Sequence, residues 1–241
     1  MVTYPITLGA EFDVIPDDTE ESLMGSAIHQ GAIVTVFDGL RICAARRDVP
    51  WFVGNQQTLL IPREDRRLPR RIAPDVFVYQ SLAISNPTSI AITEHGPPTL
   101  AIEIASPGTA LTNDVNIFNP TAKPRLYERI GVTEYLAFDP TREIFGEPIW
   151  AQHIGPSGVR PWLPERDGRW YSMLGVSFKP EGHLLRVYDH AGQLVPLSVE
   201  FDAMLTAERR KKDEQAQRVA MQEQRIAALE AELRQLRDKQ P

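Results

Sequence analysis

Cysteine is nearly absent. Cys43 stands alone in 241 residues, which excludes an intramolecular disulfide framework and any zinc site built from several cysteines. Long apolar runs are missing too: no stretch approaches the ~18 residues that a membrane span needs, so a soluble chain with no membrane partner is expected. The opening Met1-Val2-Thr3-Tyr4-Pro5 lacks a basic region followed by an apolar one, which makes the cytoplasm the expected compartment. Nor is there a positive excess. Lys and Arg number 26 against 32 Asp and Glu, a net charge of -6, which argues against tight non-specific binding of nucleic acid by the whole surface but permits a local basic patch.

Proline, by contrast, is plentiful at 20 residues. It clusters in connections, so many short elements joined by turns are expected rather than a helical bundle. Residues 1–17 show little periodicity and read as an irregular segment. Asp17-Asp18-Thr19-Glu20-Glu21 is then a helix-start signature, with acidic residues where they complement the helix dipole. The apolar residues Leu23, Met24, Ala27, Ile28, Ala32, Ile33, Val36 and Phe37 follow at three- and four-residue spacing, which predicts an amphipathic helix ending near Phe37, at Asp38-Gly39, or continuing to Ala44.

Thr58 to Pro62 and Ala73 to Tyr79 have strand composition. Between them lie Arg63, Arg66, Arg67, Arg70 and Arg71, either a solvated loop or a phosphate-contacting surface. The next strand, Leu100 to Ala105, is apolar on both sides of one carboxylate, Glu103. Burying a lone carboxylate costs several kcal/mol. Glu103 must therefore sit at a strand end facing a cleft, be paired, or hold a metal. Lys123 to Gly131 predicts a short helix with Pro124 near its start and Gly131 at its close, although Pro124 also biases Lys123 toward an extended backbone. Glu134 to Pro140 predicts a further strand, giving an α/β arrangement of helices on a mixed sheet, and residues 141–200 read as a β-rich extension. Beyond Phe201, Val219, Ile226, Leu229, Leu233 and Leu236 fall on heptad a and d positions. A C-terminal helix over 201–241 is expected, coiled-coil-like, with a homodimer as one use of its seam.

Asp75 at one strand mouth, Glu103 on the neighbouring strand and Lys123 at the next helix start form one candidate constellation. Two such carboxylates can share a hard divalent cation, with a lysine to orient water or neutralise phosphate charge. The same spacing also suits an Asp that caps a turn, a Glu in an ion pair and a surface Lys. His153, His183 and His190 have no ligand-like spacing.

Pro74-Asp75, Glu103-Ile104-Ala105, Lys123 with Tyr127, Gly131-Val132-Thr133-Glu134-Tyr135 and Asp139-Pro140 together resemble the Uma-type family of restriction endonucleases, within the PD-(D/E)xK nuclease superfamily. The likeness spans roughly residues 18–195. It implies a restriction-endonuclease-like domain over 18–200, DNA as substrate, Mg²⁺ (or Mn²⁺) held by Asp75 and Glu103, and water attacking the phosphodiester. The superfamily's lysine two residues after the glutamate is replaced by Ala105. The Uma-type branch often carries the lysine on the next helix, a role that maps to Lys123. An acidic residue on the first helix is also common in the superfamily, which makes Glu21, with His29 two turns on, a further candidate. The same fold without catalysis, working as a binding or assembly module through its C-terminal helix, is the alternative.

Overall fold

The computed structural model describes residues 20–62, 70–81, 87–106, 115–116 and 122–237. These fall into two compact units that divide between Gln193 and Leu194.

The first described element of the first unit is α1 (Glu20–Arg47). Ala32, Ile33, Val36, Leu40, Cys43 and Ala44 are buried, spaced as one face of a 3.6-residue helix. The helix does not stop at Asp38-Gly39 or at Ala44, as the sequence suggests, but runs to Arg47. The reason is packing. A Cβ on Gly39 would lie 2.7 Å from Val187 Cγ2, so glycine there admits the close approach of β12 (Leu184–Tyr188) rather than ending the helix.

The main sheet has six strands in the order β1 (Phe52–Asn55), β4 (Val76–Tyr79), β6 (Leu100–Ile104), β7 (Glu134–Phe138), β8 (Ile149–Gly155) and β9 (Gly158–Pro161). Only β6 and β7 run parallel in it, and the other neighbours are antiparallel. The parallel pair requires a crossover, which α3 (Lys123–Ile130) supplies. Gly131 at φ 86° closes α3, donating its N–H to Tyr127 and Glu128. Lys123 is the first helical residue, not extended. Pro124 sits within the first two positions, where a missing N–H costs nothing.

Two three-stranded sheets complete the unit. One joins β2 (Thr58–Ile61) to β3 (Arg70–Ile72) and β5 (Ser89–Ala91), with the short α2 (Ile92–His95) following β5. The other joins β10 (Trp170–Tyr171), β11 (Ser177–Glu181) and β12. The β-rich region thus divides: β8 and β9 extend the main sheet, and β10 to β12 form their own. Leu126, Tyr127, Tyr135, Phe77, Tyr79 and Ala101 belong to one core cluster on the α3 face of the main sheet.

The second unit holds α4 (Ser198–Arg237). No described helix is long and apolar enough to cross a membrane.

Candidate active site

Strand register brings the two candidate carboxylates together. Val76 of β4 pairs antiparallel with Ile102 of β6, so Asp75, one step before β4, lies beside Glu103. Side chains alternate along a strand, and Ala101 faces the core cluster that contains Tyr127, so Glu103 faces α3 as well. Glu103 is 0% exposed, and its charge is met at both oxygens. Lys123 Nζ donates to Oε2 at 2.8 Å and Tyr127 Oη donates to Oε1 at 2.7 Å. The Asp75 N–H also approaches Oε2, at 3.4 Å. Lys123 and Tyr127 are four residues apart on α3, one turn, so the helix presents both to the same carboxylate.

Asp75 is held differently. Its Oδ2 accepts the Ile104 N–H at 2.8 Å and lies 3.5 Å from His29 Nε2 on α1. The same Nε2 donates to the Ile104 carbonyl at 3.0 Å. Burial by itself would raise the Asp75 carboxyl, but His29, the Ile104 N–H and the charge of Lys123 outweigh it and hold the group below its ordinary 3.8. The contact with Asp75 in turn holds the His29 imidazole above its ordinary 6.5, against the opposing effect of burial. Burial, then the Glu103 charge, pushes the Tyr127 phenol well above 10, so it stays a donor.

The structure therefore gathers Asp75, Glu103, Lys123 and His29. It adds Tyr127, which the sequence offered only as part of the family-like motif with Lys123 and without a role of its own. The signal for Tyr127 was its four-residue spacing from Lys123. Glu21 lies in the first turn of α1 with its side chain outside the described residues, as are Arg63, Arg66 and Arg67, while Arg70 and Arg71 stand on β3.

The candidate donor set is all oxygen: two carboxylates on neighbouring strands. Such a set suits a hard cation such as Mg²⁺, which needs one or two carboxylates and takes water and phosphate for the rest. It is not an all-protein cage. Among the described residues no group of three or more His, Cys, Asp or Glu is arranged to hold a metal.

Among the other buried carboxylates, Asp139 and Glu134 have structural work instead. Asp139 accepts N–H bonds from Thr141, Arg142, Ile144 and Phe145, organising the loop after β7. Glu134 accepts from the Ser172 hydroxyl and the Met173 N–H, fastening β7 to the segment between β10 and β11.

The family model described as "Uma2: Putative restriction endonuclease" matches residues 12–146. That span contains Glu21, His29, Asp75, Glu103, Lys123 and Tyr127. A solved structure of a putative nuclease belonging to DUF820 from Anabaena variabilis is similar at 14% identity and a TM-score of 0.32, covering 71% of this chain and 73% of that one. No curated protein matches the chain.

Proposed function

The chain belongs to the Uma2 family, described as "Putative restriction endonuclease", and from that premise we propose that it is a metal-dependent endonuclease hydrolysing DNA phosphodiesters. The observation that carries the reading is the meeting of Lys123 Nζ, at 2.8 Å, with a Glu103 oxygen that also lies 3.4 Å from the Asp75 N–H. Asp75 and Glu103 would hold Mg²⁺ or Mn²⁺, and when bound the cation supplies Lewis-acid charge beside the scissile phosphate.

The chain's own residues do the rest. His29 and the Ile104 N–H keep Asp75 ionised at neutral pH, so it needs no proton loss before it can ligate. Tyr127 fixes the Glu103 carboxylate in one orientation. Lys123, on the helix rather than on the strand, supplies the positive charge missing at Ala105, where it orients the attacking water and offsets negative charge on the phosphate. Arg70 and Arg71 on β3 are candidates for backbone phosphate contacts, which position DNA without reading its sequence. The seam of α4 fits a homodimer, the assembly that suits cutting two strands.

Incubating the purified chain with plasmid and with single-stranded DNA in Mg²⁺, Mn²⁺ or EDTA tests the reading. Strand scission in either metal and none in EDTA is expected. Scission that persists unchanged in EDTA, or none in either metal on any DNA form, overturns it and leaves the non-catalytic assembly role on the same fold.

A further inference from the structure

Among the described residues, the seam of helix α4 is without cover. Every residue from Phe201 to Ala231 is exposed, with Val219, Ile226 and Leu229 at 45%, 56% and 45%. With Val219 at a, the heptad places Ile226 and Leu233 at a and Leu229 and Leu236 at d, and Gln222 takes the remaining d position. β-branched residues at a with leucine at d favour two strands.

The flanking positions say which partner fits. In the same register, g is occupied by Arg218, Arg225 and Glu232, and e by Glu223, Glu230 and Arg237. In a parallel in-register pair, each g residue faces the e residue five positions on in the other chain. The contacts are then Arg218 with Glu223, Arg225 with Glu230, and Glu232 with Arg237. All are opposite in charge, including the last, where the order of signs reverses. An antiparallel pair instead sets g against g and e against e. That loses this matching, and the runs Arg218-Arg225 and Glu223-Glu230 then meet like charges when centred on each other.

We propose that the occupant of this seam is a second copy of the chain, joined over Val219 to Leu236 as a parallel, in-register two-stranded coiled coil. The inference rests on the homodimer reading above and deepens it by fixing orientation and register. Both chains then leave the coiled coil at the same end, so two nuclease units share one tether and the second cut on a duplex proceeds at a raised effective concentration.

Sedimentation equilibrium of the full chain at about 100 μM, with variants on the exposed helix, tests it. The expected mass is twice the 27.1 kDa chain. Leu229→Cys should form a disulfide-linked dimer on mild oxidation, since parallel register sets the two d positions side by side and Cys43 is buried. Arg225→Glu should weaken association about tenfold with helix content unchanged, because residues 221, 222, 228 and 229 around it are uncharged. Adding Glu230→Arg should recover most of that loss. A monomer at this concentration overturns both the dimer and its geometry. A dimer in which Leu229→Cys fails to link, or in which Arg225→Glu costs nothing, keeps the dimer and overturns the parallel register.

Discussion

At the residue scale, Glu103 is tolerable in a fully buried strand because Lys123 and Tyr127 meet its two oxygens. Removing one member of a buried ion pair costs up to ~3–5 kcal/mol, and here somewhat less because Lys123 keeps 18% exposure. Lys123→Met should therefore lower the thermal midpoint in metal-free buffer. A saturating divalent cation should then raise the midpoint of the variant more than that of wild type, since the cation replaces the missing positive charge; equal shifts would argue against a shared site. His29 gives a pH signature. Its folded value lies above 6.5, so its contribution to stability is complete below 6.5 and is lost as pH rises through the raised folded value. Asp75 has the opposite sign, its contribution being lost as pH falls through a folded value below 3.8. Urea unfolding should show wild type losing its advantage over His29→Gln above pH 6.5, with the full difference between about pH 4 and 6.5. A pH-independent difference would contradict the ion pair.

At the scale of elements, the strand that carries Glu103 and the short helix with Lys123 were legible, because apolar runs bounded by Pro and Gly are strong local signals. The end of α1 was not. Asp38-Gly39 has the composition of a helix stop, but Gly39 serves the close approach of Val187 inside a helix that continues to Arg47. Nor did the sequence show that Pro124 would leave Lys123 helical, since a proline near a helix start and a proline after an extended residue look alike in one dimension. Gly39→Ala separates local propensity from packing. Alanine gains about 1 kcal/mol as a helix former, whereas overpacking against Val187 costs roughly 1–3 kcal/mol. A net loss of stability is expected in urea unfolding, and Gly39→Ala should be less harmful when Val187→Ala makes room for it. A simple gain of stability would mean that the helix shifts freely from β12.

At the scale of the whole molecule, the α/β class and the mixed sheet could be read from the order of predicted elements, and the family from the resemblance that an ordered run of short motifs carries. The partners of each side chain could not, because sequence spacing does not reveal strand register. The step from Val76 and Ile102 to Asp75 and Glu103, and the crossing of α1 that brings His29 to Asp75, exist only once the sheet is assembled. With a net charge of -6, the proposed nuclease reading requires a local surface for DNA, with the salt dependence of a few phosphate contacts. The central claim is that Asp75, Glu103 and Lys123 form one catalytic centre. Its most direct test is the single-turnover rate of DNA cleavage in Mg²⁺ or Mn²⁺ by wild type and by Glu103→Gln, a near-isosteric change that removes charge while keeping the shape that Lys123 and Tyr127 surround. The account predicts a rate at least about 100-fold lower with circular dichroism unchanged. Equal rates from wild type and variant, in preparations free of other nucleases, would contradict it.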